Sequence, residues 1–311
     1  MRSAPNTARA IALKLMSVSC FVVMASLIKA TSDAVQPGQA VFFRSFFAMV
    51  VILCWLVARG TLRTGLKTAN PMSHVWRGVV GTVAMGLMFT GLGLLPLPEV
   101  TAIGYATPLL VVVLAAMFLG EQVRFFRLSA VALGLLGVMI VLSPRLTALQ
   151  GGATDRELLG AVVVLTGAAC AALAQVFVRK MVEYEETSAI VFWFSVTSTG
   201  LSLLTLPFGW QVPSLEVAAL LILSGLLGGI GQIGLTAAYR YADAGLVAPF
   251  DYFSMLLALL IGYFIFGEAP TLTVLGGATL VIAAGILIIW RERQLGLERA
   301  LQKKATQQKG L

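Results

Sequence analysis

The 311-residue chain is 59% hydrophobic and only 12% charged, with a mean hydropathy of +0.92. A soluble domain carries about 25% charged residues to cover its surface, so this composition excludes a water-soluble globule and makes the bilayer the solvent. The net charge of +8 does not signal nucleic acid, because the basic residues flank apolar runs and crowd the carboxyl-terminal tail, as membrane topology requires.

The first apolar run follows Arg2, Arg9 and Lys14, an arrangement that imitates a signal peptide. Lys14 interrupts the run and no small-residue cleavage site follows, so it reads as an uncleaved first helix. At about 20 mostly apolar residues per crossing, spans are expected at 10–30, 38–58, 75–95, 98–119, 126–143, 158–179, 187–207, 215–237, 244–266 and 271–290. The longest internal connections are 59–74 and 144–157, too short for a soluble domain. With the amino terminus in the cytoplasm, 18 of the 22 Lys and Arg residues fall on the cytoplasmic side, Lys14 and Arg77 among them. Lys29, Arg145 and Arg156 stay outside and Arg44 lies within a span, so both termini are expected in the cytoplasm. Cys20, Cys54 and Cys170 lie inside apolar runs without a CxxC and read as small buried hydrophobes.

Much of the chain is written twice. Shifted by 147 residues, Val80–Glu121 falls on Leu227–Glu268 without a gap: Gly81 on Gly228, Val100 on Val247, Tyr105 on Tyr252, Gly120 on Gly267, Glu121 on Glu268. The first helix of each half corresponds at an offset of 150, with Cys20 on Cys170 and Lys29 on Arg179. Five helices per repeat is an odd number, so the second copy enters the membrane upside down. Inverted repeats of this kind place substrate near the bilayer midplane between the halves. The expected organisation is a first repeat over 1–144, an external linker over 145–157 containing Gly151-Gly152, a second repeat over 158–290, and a basic cytoplasmic tail over 291–311.

Two five-helix repeats, each ending its fourth helix in Gly-Glu, resemble the ten-helix EamA branch of the drug/metabolite transporter superfamily. The residues carrying the resemblance are Leu94-Leu95-Pro96-Leu97-Pro98-Glu99-Val100-Thr101-Ala102, with Pro108 and Phe118-Leu119-Gly120-Glu121 behind them. In the second half they are Tyr239-Arg240-Tyr241-Ala242-Asp243-Ala244 and Phe266-Gly267-Glu268. The resemblance covers roughly residues 10–290 and implies an all-α polytopic membrane protein with ten transmembrane helices as two inverted five-helix repeats. It further implies a secondary transporter of a bacterial cytoplasmic membrane, without cofactor. Related carriers move amino acids, riboflavin, S-adenosylmethionine or toxic organic cations, some inward and some outward.

Three patterns point to other chemistry and fail on context. Gly229, Gly231 and Gly234 fit GxGxxG, but inside an apolar span with no preceding strand they read as small residues that let helices approach. The P-loop-like stretch from Gly60 to Thr68 has Leu66 between Gly65 and Lys67, and no βα unit surrounds it. His74 is the single histidine, assigned to a basic cytoplasmic loop, which excludes a His-based metal cluster or a Ser-His-Asp triad.

Polar residues inside spans carry more information, since a charge at the bilayer centre costs about 2.5–3.5 kcal/mol on insertion scales. Asp251 is the clearest such acid, read either as a protonation or cation-binding site or as an acid held by a neighbouring hydroxyl or arginine. Arg44 is either a snorkelling anchor or a substrate contact. Gln175 and Gln232 are expected to face inward, with Tyr105 and Tyr252 turned to the same central cavity, where an aromatic with a polar tip suits a flat, partly polar ligand. Glu121 and Glu268 are expected to cap helix ends at opposite faces. Glu99 is expected at an interface, and Trp76 and Trp290 in the aromatic belt. The expected partners are a small metabolite, the lipid bilayer and protons as a coupling ion, with no oligomer required. A membrane-embedded enzyme would need convergent catalytic residues, and a channel would favour charged rings or a carbonyl filter; the sequence displays neither.

Overall fold

The computed structural model describes residues 7–119, 125–147, 155–181, 184–241, 250–251, 253–287, 290 and 294, and every regular element among them is helical. In chain order these are α1 (Thr7–Ala30), α2 (Pro37–Ala58), the short α3 (Leu62–Gly65), α4 (Pro71–Leu94), α5 (Leu97–Gly104), α6 (Ala106–Leu119), α7 (Phe125–Thr147), α8 (Asp155–Met181), α9 (Thr187–Leu203), α10 (Leu215–Tyr241), α11 (Phe253–Phe266) and α12 (Leu272–Leu287). Five of them (α1, α2, α4, α8 and α10) are long and apolar enough to cross a bilayer, and five shorter apolar segments fall on the other expected spans. The chain is a ten-helix polytopic membrane protein.

The helix starts follow from local chemistry. Pro37 and Pro71 open α2 and α4, where a missing N–H costs nothing, and the Asn70 side chain accepts from the Ser73 amide at 3.3 Å. The expected single span at 98–119 is two helices, because α5 ends at Gly104 and the chain turns at Tyr105 before α6. Glycine is a weak helix former and lets the backbone change direction there.

The packing has the symmetry the repeat demands. Exchanging the two halves turns first helix into sixth, second into seventh and so on. Under that exchange the α1–α10 pair becomes α8–α4, the α2–α10 pair becomes α9–α4, and the α6–α8 pair becomes α11–α1; all six pairs are in contact. The α2–α9 and α5–α11 pairs map onto themselves, and both are also in contact. The fifth and tenth helices, counterparts across the repeat, meet through a pair of glycines. A Cβ on Gly137 would lie 2.7 Å from the Gly277 carbonyl oxygen, and one on Gly277 would lie 2.6 Å from that of Gly137. Each also faces the other helix's valine one turn on, Val281 and Val141. In a bilayer, where burial in lipid gives helices no reason to associate, such small-residue contacts hold them together.

Gly229, Gly231 and Gly234 serve the same end. Added Cβ atoms there would meet Ala48 and Val51 of α2, Phe21 and Cys20 of α1, and Met16 and Leu13 of α1. Ser17 Oγ also donates to the Gly231 carbonyl at 2.6 Å. The dinucleotide-like pattern is a helix-packing surface.

Three basic residues differ from expectation. Lys14 (1% exposed), His74 (3%) and Arg77 (9%) are buried, not loop charges. A count of Lys and Arg reads position along the chain, whereas α1 and α4 begin one to two turns before these residues and carry them into the bundle.

Candidate functional site

The bundle has a near face, where α1 begins, and a far face, where α1 ends. At the far face, the end of α11 is set by Gly267, whose φ of +67° is the left-handed turn that favours glycine. The Glu268 amide then bonds back to the Gly262 carbonyl at 2.8 Å across that turn, and the carboxylate lies beside α5. Glu268 Oε2 accepts from the Leu97 amide at the start of α5 at 2.8 Å, and Oε1 pairs with Lys29 Nζ at 2.8 Å. Lys29 also donates to the carbonyls of Leu92 (3.2 Å) and Leu95 (2.8 Å) between α4 and α5. One lysine and one glutamate thus join α1, the α4–α5 break and α11.

Deeper in, α1 and the start of the ninth span are paired again. Lys14 Nζ lies 2.7 Å from Asp251 Oδ1, with the lysine side chain 1% and the aspartate side chain 46% exposed. The Ser254 hydroxyl donates to the Asp251 carbonyl at 2.6 Å, and the Tyr105 hydroxyl lies 2.6 Å from Ser254 Oγ. Tyr105, only 7% exposed, therefore joins α5 to α11 beside the ion pair.

A third cluster gathers two cations, with no acid in ion-pair range of either among the described residues. Arg44 of α2 and Arg77 of α4 are 5% and 9% exposed. The Arg77 guanidinium carbon sits 3.6 Å from the Phe194 ring centre and that of Arg44 5.7 Å from it. Arg44 Nε, Arg77 Nε, Arg77 Nη1 and the neighbouring Ser45 Oγ are buried without a hydrogen-bond partner. Arg44 and Phe194 each stand seven residues after the start of their helices, α2 and α9, and so are mates across the repeat. Gly81 and Gly228, matched at the 147-residue offset, leave space for the two cations: added Cβ atoms would come within 2.7 Å of Arg77 Nη1 and 3.1 Å of Arg44 Nε.

At the near face, Glu185 Oε1 accepts from the Thr68 hydroxyl (2.9 Å) and the amides of Ala69 (2.8 Å) and Asn70 (2.9 Å). His74 Nε2 stands 3.3 Å from the same oxygen. Burial pushes the Glu185 carboxyl up, but the Asn70, Thr68 and Ala69 hydrogen bonds and the adjacent His74 outweigh it and hold the group below the ordinary carboxylate range. Ser188 Oγ donates to the Gly65 carbonyl (2.8 Å) and Trp193 Nε1 to that of Leu66 (3.0 Å), so α3 and its flanks are pinned against α9.

At the far face a cleft of about 140 Å³ opens between the ends of α1 and α4 and the starts of α2 and α8, lined by Ile28, Ser32, Ala40, Phe89, Thr90 and Arg156 among others. It lies away from the Asp251 cluster. Ala40, in its lining, stands one helical turn before Arg44 on the same side of α2.

Of the residues singled out in the sequence, the structure brings together Tyr105 and Asp251. Arg44 belongs to the separate arginine cluster. Gln232 is half-buried on α10, whereas Gln175 is exposed on α8, next to the Ala172–Val176 stripe that packs on α6. Glu99, expected at an interface, is buried at 8% exposure. Tyr252 and Glu121 lie outside the described residues. Among the described residues no group of three or more His, Cys, Asp or Glu is placed to hold a metal. Sequence reasoning missed Arg77 and Phe194. The signals present were the spacing of Arg77 one turn before Gly81 and the 150-residue offset that sets Phe194 on Arg44.

The chain matches the model of the EamA-like transporter family over residues 8–143 and again over 158–290. It belongs to the EamA-like transporter family. A model of Solute carrier family 35 also matches over residues 100–207. An S-adenosylmethionine uptake transporter of Rickettsia bellii is 28% identical over 302 residues, covering 94% of this EamA-like chain and 99% of that protein. A riboflavin transporter of Rhizobium johnstonii is 31% identical over 260 residues, 83% of each chain. One crystal structure, 20% identical, has a TM-score of 0.66 over 91% of this chain and 97% of its own, a likeness of fold.

Proposed function

We propose that this EamA-like protein is a secondary transporter that carries a small organic metabolite across a bacterial cytoplasmic membrane by alternating access at the seam between its repeats. The supporting observation is that three buried cations sit at helix contacts between the halves, Lys14 on Asp251 and both Arg44 and Arg77 on Phe194. A scaffold made only to hold helices together has no use for them, and each is expensive to insert. The near face is cytoplasmic with both termini, 145–157 is an external linker, and 291–311 is a cytoplasmic tail. In this reading the Lys29–Glu268 pair closes the outer end and must part when the site opens outward. Asp251, released from Lys14 in the alternate state, takes up a proton and couples transport to it.

The relatives that carry S-adenosylmethionine and riboflavin supply the first solutes to test. Purified protein in proteoliposomes is expected to give flux of at least one such solute that saturates and is competed by unlabelled solute. Non-saturating flux identifies a channel, and no flux with any solute removes the transporter reading. Asp251→Asn with wild-type rate and unchanged pH dependence removes the proton role alone. Orientation is tested separately: a membrane-impermeant thiol reagent should label a cysteine placed at Gly151 in intact cells and spare one placed at Thr64.

A further inference from the structure

We infer that Arg44 and Arg77, held on Phe194, form a binding site for an oxyanion group of the transported solute, a carboxylate or a phosphate. The inference rests on the transporter reading and names the substrate chemistry of its central site.

Two guanidinium groups inside a helical bundle, both over one phenyl ring and with no carboxylate in ion-pair range among the described residues, are an incomplete structure electrostatically. Like charges so close repel, and burial without a counter-ion leaves each with its full desolvation cost. A structural pair would have an acid between the two arginines. Here three guanidinium N–H positions are buried without a partner. These are the donors a bound oxyanion needs.

The geometry also leaves the donors available. The Arg77 guanidinium carbon lies 3.6 Å from the centre of the Phe194 ring, in cation–π contact. A stacked guanidinium keeps its N–H groups at the edge, in the fork that matches two oxygens of a carboxylate or phosphate. Gly81 and Gly228 bring no side chain against Arg77 Nη1 and Arg44 Nε, and the far-face cleft reaches Ala40, one turn from Arg44. The asymmetry is informative as well. Phe194 is the repeat mate of Arg44, and at the 147-residue offset the mate of Arg77 is Ser224. The two halves share the scaffold but only one supplies cations, as expected where an asymmetric solute is bound on a pseudo-symmetric axis.

The test uses the full-length protein, purified and reconstituted, with solute pairs that differ in one oxyanion: S-adenosylmethionine against its decarboxylated form, and riboflavin 5′-phosphate against riboflavin. Citrate and inorganic phosphate at constant ionic strength, with chloride as control, report the site without an organic scaffold. The oxyanion-bearing member of at least one pair should bind roughly tenfold or more tightly than its partner, the scale of charge-assisted hydrogen bonds. The pair that discriminates tells carboxylate from phosphate. Arg44→Gln and Arg77→Gln should each abolish that preference while leaving the member without the oxyanion within about threefold, and Arg44→Lys and Arg77→Lys should retain part of it.

The unliganded Gln variants should melt no lower than wild type, because they remove buried charge; a purely structural role predicts a lower midpoint. Equal affinity within both pairs, or a preference that survives in both Gln variants, overturns the proposal. So does failure of every anion, citrate and phosphate included, to stabilise wild type beyond chloride. Saturable flux that ignores the oxyanion defeats this inference alone, whereas absence of flux defeats the transporter reading beneath it.

Discussion

The Lys14–Asp251 pair allows a sharp prediction because its two ends are so unequally buried. Asp251→Asn removes the carboxylate charge 2.7 Å from an ammonium with 1% side-chain exposure, whereas Lys14→Met leaves a carboxylate that is 46% exposed and can be solvated. Removing one partner of a buried pair costs about 3–5 kcal/mol, and exposed pairs are worth about 0–1 kcal/mol. Asp251→Asn keeps the shape and a carbonyl acceptor, so its cost should fall at the low end, about 3 kcal/mol. Lys14→Met replaces the buried stem by one of similar volume and should cost about 1 kcal/mol. The double variant should be close to Lys14→Met alone, because the buried ammonium is gone, giving a coupling of about 2–3 kcal/mol. Equilibrium unfolding of the four proteins in mixed detergent and SDS measures the cycle. Equal single effects, or a double variant that sums them, would show that the pair does not control stability and that the ammonium is satisfied elsewhere.

The near-face latch should be pH-dependent with a defined sign. Because the Glu185 carboxyl is held below its ordinary range, its contribution is present above the unfolded-state pKa and is lost as pH falls through the depressed folded value; the stability gap between wild type and Glu185→Gln should therefore shrink only in acid. Where α7 and α12 cross, Gly137→Ala and Gly277→Ala each drive a methyl to within 2.7 Å of a backbone oxygen, and overpacking of that kind should cost at least about 1–3 kcal/mol in the same unfolding assay; a neutral result would mean the helices are not in backbone contact. Tyr105→Phe removes the hydroxyl 2.6 Å from Ser254 and should cost about 1 kcal/mol, and Tyr105→Ala, if the ring also meets solute, should weaken binding by a further 1–3 kcal/mol or about that; unchanged binding would leave Tyr105 a helix tie only.

Much of the fold is legible in the sequence because the bilayer imposes a length on every apolar run. The ten spans fall on the expected segments, and the inverted relation follows from an odd helix count applied to a repeated pattern. Glycine spacing in α10 is also readable, since small residues in a span have few other uses. The site is less legible, for physical reasons. Lys14 and Asp251 are separated by 237 positions, and nothing periodic in a chain connects a residue of the first helix to one in the ninth. Lys14 and Arg77 sit close enough to helix starts to be counted as topological charges, and hydropathy does not report which way a side chain points. Arg44 stands out as an ion in an apolar run, but its relation to Phe194 emerges only when the 150-residue offset is carried from the first helix into the second.

The Gly137–Gly277 contact has a mechanical meaning. In an inverted-repeat carrier each half takes up in turn the conformation its mate had, and helices close to the pseudo-two-fold axis are displaced least. α7 and α12 are each other's counterparts across the repeat, and where they cross, backbone meets backbone with Val141 and Val281 beside it. Under the transporter reading proposed above, that crossing serves as the fulcrum. The ties at Lys29 and Lys14 lie on the moving arms, where a few ångströms at the seam become the opening of one face and the closing of the other.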